Sequence, residues 1–101
     1  MLVIAVSGEL DLNTAPRLDE LLGPAVDAAE SPVVVDLERC EFIDSTGIAL
    51  IVRAWQALSD RPGFALCCVD DQVRRLLRIT GLESSLPIHP DREAALAELR
   101  G

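Results

Sequence analysis

The feature that most constrains the fold is a repeated alternation between short apolar runs and longer stretches with helical spacing. The apolar runs cover Met1–Leu10, Val33–Leu37 and Phe64–Val69. Runs of this length, bounded by turn residues, are typical of β-strands. An almost wholly apolar strand such as Val33–Leu37 is typical of a parallel sheet that is covered on both faces. We predict that the first strand ends at Ser7-Gly8.

The stretches between these runs begin at polar residues that can cap a helix. Asn13 or Thr14 can cap the first helix, Asp44 or Ser45 the second, Asp70 or Asp71 the third, and Asp91 the last. Each helix has one apolar face. These faces consist of Leu18, Leu21, Leu22, Val26 and Ala29 in the first helix, Ile48, Ile51, Val52, Trp55 and Leu58 in the second, Val73, Leu76, Leu77 and Ile79 in the third, and Ala94, Ala95, Leu96 and Leu99 in the last. Gly81 is placed to end the third helix. Within the first helix, Gly23-Pro24 predicts a kink or a break, because Pro24 would clash with the carbonyl of Glu20.

Strands that alternate with helices at short spacing predict an α/β fold. Right-handed crossovers would place about four helices over a mostly parallel sheet of about four strands. Leu86-Pro87-Ile88 is expected to form a brief last strand at a sheet edge, since proline cannot donate to a strand ladder. The length predicts one domain over residues 1–101.

Charge and cysteine content restrict the environment. The net charge of −8 argues against binding to nucleic acid or to an anionic membrane surface, which both favour Lys and Arg clusters. Cys40, Cys67 and Cys68 lack metal-ligand spacing, and adjacent cysteines in a strand would point to opposite faces. They are interpreted as small buried residues in a reducing compartment. No signal peptide or membrane span is visible, so we expect a soluble cytoplasmic protein. We also expect no cofactor and no metal, because a single Gly47 is not a phosphate-binding loop and the sequence shows no His/Cys/Asp metal constellation.

The chain is organised around Phe42-Ile43-Asp44-Ser45-Thr46-Gly47-Ile48, between the second strand and the second helix. The Ser45 hydroxyl is expected to lie beside free backbone N–H groups and the positive end of the helix dipole, which tolerate an added phosphate. Ser45 is therefore a candidate switch. From spacing alone, an ordinary capping serine is the favoured interpretation.

With these residues identified, the chain resembles the STAS domain family, and within it the bacterial anti-sigma factor antagonists. The resemblance rests on Gly8-Glu9-Leu10-Asp11 with Thr14, on Val35-Asp36-Leu37 followed by Phe42–Gly47, and on Leu76–Leu82 with Thr80-Gly81-Leu82. It implies a small α/β domain without catalytic activity. It also implies that the unphosphorylated protein binds an anti-sigma factor that is a serine kinase, and so frees the sigma factor. Phosphorylation of Ser45 would abolish binding, and a metal-dependent serine phosphatase would restore it.

The same resemblance and the local pattern suggest partner contacts around Ser45. Asp11 matches a family aspartate near the phosphorylation site, and it is either a turn-former or a contact to the kinase. Thr46 is interpreted as a hydrogen-bonding neighbour of Ser45 and a weaker acceptor of phosphate. Gly47 either allows close approach of another backbone or is a tolerated helix glycine. Ile48 is either an exposed anchor or core. Asp44 completes the predicted partner-binding set.

The sequence pattern disfavours two other function classes. A STAS scaffold subunit of a lipid-transport or stress-signalling complex would use the same fold without phosphorylation, and Asp44-Ser45-Thr46 together with Gly8–Asp11 favours the switch. A hydrolase is disfavoured, because the surroundings of Ser45 do not form a Gly-x-Ser-x-Gly elbow and the single histidine, His89, lies in a predicted surface link.

The start of the chain departs from the family pattern. Family members usually carry a strand before the one that leads into Gly8–Asp11, and Met1 leaves no room for it. Either the native start lies upstream or the sheet lacks this edge strand. In the second case, unpaired backbone groups along Met1–Val6 would favour strand pairing with another copy, so we expect dimers or aggregates through this edge.

Overall fold

The computed structural model describes residues 1–100 and forms the expected α/β architecture of four strands and four helices. In chain order these are β1 (Leu2–Leu10), α1 (Ala15–Ala28), β2 (Val33–Ile43), α2 (Ser45–Leu58), β3 (Phe64–Cys67), α3 (Asp71–Ile79), β4 (Ile88–His89) and α4 (Arg92–Arg100). The strands form one parallel sheet in the order β1-β2-β3-β4. Among the described residues, β1 and β4 are therefore the edge strands.

The sequential strand order explains how the helices are distributed. Three right-handed crossovers in the same direction place α1, α2 and α3 on one face of the sheet. The side chains of β2 alternate accordingly. Val33, Val35 and Leu37 pack with these three helices, whereas Val34 belongs to a second buried cluster with residues of β3 and with Ala95 of α4. Since α4 follows the last strand, it is free to cover the opposite face.

The strand β2 is longer than its apolar run. It continues from Leu37 to Ile43 through mostly exposed residues, and this extension pairs with β1 alone, from Ser7↔Arg39 to Leu10↔Ile43. The strand β1 likewise continues past Ser7-Gly8, so the predicted end there is wrong. Register shifts between Ala5 and Ser7 and between Gly8 and Glu9 accommodate the continuation, and Gly8 has φ +78°, which favours glycine.

The helix α1 runs without a break through Gly23-Pro24, so of the kink or break predicted there, the break is wrong. Proline removes one backbone hydrogen bond, but Leu18 and Leu22 before it are 4% and 2% exposed, and Ala25 and Val26 after it pack partly buried against the same core. Tertiary packing therefore outweighs the local penalty. The helix ends at Ala28, and its C-cap residue Ala29 has φ 48° in the left-handed region.

The adjacent cysteines do not point to opposite faces. The strand β3 ends at Cys67, and Cys68 has φ +61°, which turns its side chain back toward Cys67. The sulfur atoms of both residues and a carboxylate oxygen of Asp36 all lie within 4.8 Å of one another. The prediction that Cys67 and Cys68 point to opposite faces is therefore wrong.

Candidate functional site

Asp44 caps the helix α2. Its Oδ1 accepts hydrogen bonds from the backbone N–H groups of Thr46 at 2.9 Å and Gly47 at 3.1 Å, while its carbonyl oxygen accepts from the N–H of Ile48 at 3.0 Å. Asp44 rather than Ser45 is thus the N-cap. These three N–H groups are already occupied, in contrast to the free groups that the sequence led us to expect beside Ser45.

The same aspartate joins two segments that are distant in sequence. Its Oδ2 accepts from the backbone N–H of Leu12 at 3.2 Å, across 32 positions. Its own backbone N–H donates to the carbonyl oxygen of Leu10 at 3.1 Å. The connection between β1 and α1 is therefore fixed against the start of α2, and the two motifs of the sequence form one surface.

Asp11 organises the connection between β1 and α1. Its Oδ1 accepts from the backbone N–H groups of Asn13 at 2.9 Å and Thr14 at 3.1 Å. The Thr14 hydroxyl accepts from the N–H of Asp11 at 2.9 Å and donates to the carbonyl oxygen of Glu9 at 2.6 Å. Of the two interpretations of Asp11, the turn-forming one describes its contacts. The Asp11 side chain remains partly exposed beside the cap of α2.

Gly47 lies at a close contact between α2 and the sheet. A Cβ atom at this position would lie 2.7 Å from Cγ of Leu10 and 2.9 Å from Cγ1 of Ile43. Gly47 is thus more than a tolerated helix glycine, although the groups that approach it are side chains and not the backbone that we expected. This packing sets how deeply the first turn of α2 sits on β1 and β2.

The predicted partner-binding residues divide into surface and core. Ser45 is exposed as the first residue of α2, and Asp44 and Thr46 are partly exposed. Gly47 is buried, and Ile48 is only 9% exposed within the main core. The core interpretation of Ile48 is thus the one that matches its position. A molecule that approaches this surface meets Asp11, Asp44, Ser45 and Thr46.

Two apolar side chains that were not predicted as partner contacts lie at this surface. Leu12 is 70% exposed and follows Asp11 directly, and Phe42 is 50% exposed and precedes Asp44 by two positions. Phe42 also lines a groove of about 230 Å³ that continues to Ile79 of α3, whose side chain is 71% exposed. Leu12 could have been recognised from the sequence, because it is an apolar residue within the polar turn Asp11–Thr14. Exposed large apolar side chains that cluster together are typical of protein contacts.

His89 lies in β4 rather than in a surface link. The strand β3 separates it from β2, which leads to Ser45. The fold therefore places the histidine away from the hydroxyl that it would have to activate in a serine hydrolase. No helix in residues 1–100 has the length and apolar character that crossing a membrane requires.

Comparison with known proteins identifies the family. The family model described as STAS domain matches residues 1–95. The chain belongs to the STAS domain family. An anti-sigma-B factor antagonist of Staphylococcus aureus strain NCTC 8325 / PS 47 is 36% identical over 92 residues, which cover 89% of this chain and 84% of that protein.

Two further similarities point in the same direction. An anti-sigma F factor antagonist of Paenibacillus polymyxa is 31% identical over 101 residues, covering 98% of this chain and 86% of that protein. The crystal structure of an anti-sigma factor antagonist from Mycobacterium paratuberculosis superposes with a TM-score of 0.88 at 32% identity, covering 99% of this chain and 86% of that chain. Within the STAS family, this chain is thus similar to anti-sigma factor antagonists, whose names describe regulatory proteins rather than enzymes.

Proposed function

We propose that this chain is an anti-sigma factor antagonist that is switched by phosphorylation of Ser45. Unphosphorylated, it binds an anti-sigma factor serine kinase in the cytoplasm and so releases a sigma factor. Phosphorylation of Ser45 ends binding, and a serine phosphatase restores it. The observation that carries this proposal is the position of Ser45, exposed at the first residue of α2 on a surface that Asp44 ties to the β1–α1 connection.

The contacts of Asp44 indicate why a phosphate at Ser45 would act on the partner rather than on the fold. A phosphoserine carries about −1.5 to −2 charges at neutral pH. The Asp44 carboxylate already accepts the N–H groups of Thr46 and Gly47, so the phosphate gains no such bonds unless it displaces Asp44. The phosphate therefore stays solvated, next to a like charge. A partner that fits the neutral hydroxyl would have to desolvate it.

The surroundings of Ser45 supply the rest of a protein-binding surface. Leu12 and Phe42 are exposed apolar side chains that a partner can bury. Asp11, Asp44 and Thr46 provide polar contacts at the margin of these residues. Gly47 and Ile48 are buried beneath this surface. Their packing fixes the distance and orientation of the first turn of α2 relative to the sheet.

The first experiment maps phosphate on the protein purified from its own cells. We expect peptide mass spectrometry to place a phosphate on Ser45 in part of the population and phosphatase treatment to remove it. A chain that carries no phosphate at Ser45 during growth, stress and stationary phase would contradict the switch.

The second experiment measures binding with matched variants. Ser45→Ala is used to isolate a kinase that also binds a sigma factor, and the purified kinase is then titrated with each variant. We expect Ser45→Ala to bind and Ser45→Asp to bind at least about 100-fold more weakly, in line with the 2–5 kcal/mol that an unpaired charge costs in an interface. Ser84→Asp is the control, because Ser84 is exposed in the α3–β4 connection. Equal affinity of the Ser45→Asp and Ser84→Asp variants would refute the proposal.

A further inference from the structure

The face of the sheet opposite Ser45 carries a row of metal-ligating side chains. Asp36 of β2 is the register partner of Cys67 of β3, and Cys67 is the register partner of His89 of β4. Registered residues of parallel strands project to the same face, here the face covered by α4. Because Cys68 folds back toward Cys67, the sulfur atoms of both cysteines and a carboxylate oxygen of Asp36 lie within 4.8 Å of one another.

We propose that Asp36, Cys67 and Cys68 form a binding site for one thiophilic divalent cation of the zinc type. Two thiolates and one carboxylate are a ligand set that suits zinc, and three protein ligands leave a fourth position of the tetrahedron open. Asp36 and Cys67 are buried and Cys68 is partly buried, so the cation would be shielded from competing water. The site is separate from the surface around Ser45, and its test is independent of the proposed function.

The contacts of Asp36 leave it able to ligate. Nε and Nη2 of Arg92 both donate to Oδ2 of Asp36, at 3.1 and 2.7 Å, and the backbone N–H of Glu38 donates to Oδ1 at 2.9 Å. A carboxylate offers more acceptor positions than these three bonds use. Metal-bound carboxylates are usually held by outer hydrogen bonds of this kind, so Arg92 is placed to orient the ligand.

The charge balance of the cluster favours a divalent cation. A free cysteine thiol has a pKa of about 8.5, so both thiols carry protons at neutral pH when no metal is bound. Binding breaks both S–H bonds, forms two metal–sulfur bonds and releases both protons to solvent. One divalent cation thus replaces two protons, and the buried cluster keeps the net charge that Arg92 already balances.

His89 supplies a second observation at the same row. Its Nε2 is shielded from solvent and is without a hydrogen-bond partner among residues 1–100. An unpartnered buried nitrogen costs free energy. His89 is not among the residues whose ligand atoms lie within 4.8 Å of one another, so it is not a direct ligand, but it shares with Cys67 the face of the sheet on which the cation would bind.

The test uses the whole chain, reduced with a phosphine and stripped of metal, and Co²⁺ as the probe. We expect one equivalent of Co²⁺ to produce a thiolate-to-cobalt charge-transfer band together with the visible bands of tetrahedral cobalt. Zn²⁺ should then abolish both sets of bands. Native mass spectrometry should show one bound Zn²⁺ per chain.

Variants locate the site. Cys67→Ala and Cys68→Gly should each lose the charge-transfer band, and glycine suits the φ of +61° at position 68. Cys40→Ala is the matched control, because Cys40 is buried in the separate cluster under α1, α2 and α3 and should leave the band intact. Far-UV circular dichroism checks that each variant is folded. No thiolate band in the wild type, or a band that persists in folded Cys68→Gly, would overturn the proposal.

Discussion

At the residue scale, the missing side chain of Gly47 sets how closely α2 approaches β1 and β2. Alanine normally favours a helix over glycine by about 1 kcal/mol. At this position its Cβ would lie 2.7–2.9 Å from Leu10 and Ile43 side-chain atoms, a distance that requires both side chains or the helix to move. Overpacking of this kind typically costs about 1–3 kcal/mol. The steric cost therefore exceeds the gain in helix propensity.

We accordingly expect Gly47→Ala to lower the free energy of unfolding by about 1 kcal/mol or more, measured by chemical denaturation. Gly23→Ala is the matched control. It also lies inside a helix, but its added Cβ would meet only Oδ1 of Asp19 at an ordinary 3.7 Å. We expect Gly23→Ala to stabilise by roughly 0.5–1 kcal/mol. Stabilisation by both substitutions would show that the contact at Gly47 relaxes without cost.

The residues of the candidate site were predictable to different degrees. The cap position of α2 follows from a local pattern, since an aspartate before an apolar helical repeat can satisfy its first N–H groups. The bond between Asp44 and the N–H of Leu12 does not, because it joins residues 32 positions apart. The buried state of Gly47 likewise depends on Leu10, which belongs to another strand. Contacts between distant segments require the fold, not the motif alone.

At the element scale, one ion pair links α4 to the sheet. Asp36 is the charged residue within the apolar start of β2, its side chain is 5% exposed, and Nη2 of Arg92 lies 2.7 Å from its Oδ2. Burial raises the pKa of Asp36, but the backbone N–H of Glu38 and the guanidinium of Arg92 outweigh this and hold the pKa below its ordinary value of 3.8. The charged form of Asp36 is thus the form that the fold prefers.

A depressed pKa gives a definite pH dependence. The stabilisation from Asp36 is fully present above its unfolded-state pKa and is lost as the pH falls through the lower folded-state value. We expect Arg92→Gln to destabilise the protein at neutral pH, and the difference from wild type to shrink in acid as Asp36 becomes protonated. Urea unfolding between about pH 7 and 3 measures this difference.

Arg100→Gln serves as the control for this measurement. Arg100 lies at the exposed last turn of the same helix, and its replacement removes the same charge. Its effect on the unfolding free energy should be small across the range, as is usual for surface substitutions. A difference between Arg92→Gln and wild type that stayed constant from neutral to acid pH would contradict the assigned role of Asp36.

The elements themselves were predictable where one local signal dominated. Apolar runs located the centres of β1, β2 and β3, and capping residues located the starts of the helices. The extension of β2 from Leu37 to Ile43 could not be predicted from the sequence, because it pairs with β1 alone and carries exposed polar residues. That the side chains of Cys67 and Cys68 lie close together could not be predicted for another reason. It depends on the left-handed φ of Cys68, a conformation that a non-glycine residue rarely adopts.

At the scale of the whole molecule, β1 is the edge strand opposite β4 in the sheet that residues 1–100 form. A parallel strand at an edge has backbone N–H and C=O groups directed outward without strand partners. Met1 and Leu2 add exposed apolar side chains at 48% and 38% exposure. Two copies related by a two-fold axis can join their β1 strands in antiparallel fashion and so form one continuous sheet. We therefore propose that the chain of residues 1–101 self-associates through β1.

Light scattering at increasing concentration measures this association. The wild type should rise from the mass of one chain toward that of two, or toward larger aggregates. Ala5→Lys should remain monomeric to higher concentration, because Ala5 is exposed in β1 and a lysine on an edge strand disfavours pairing. Ala57→Lys adds the same charge on the exposed face of α2 and should behave as the wild type does. A wild type that stays monomeric at high concentration would exclude the β1 dimer.

Salt separates edge pairing from attraction between charged surfaces. Each copy carries a net charge of −8, so two copies repel one another at low ionic strength. Backbone hydrogen bonds and the burial of Met1 and Leu2 are little affected by moderate salt, whereas the repulsion is screened over about 10 Å at 0.1 M. Association through β1 should therefore strengthen as salt is added. Ala5→Lys should weaken it at every salt concentration, although the added lysine reduces the magnitude of the net charge and so the repulsion between copies. Association that weakened with salt would indicate pairing of opposite charges at another surface, because screening reduces such attraction.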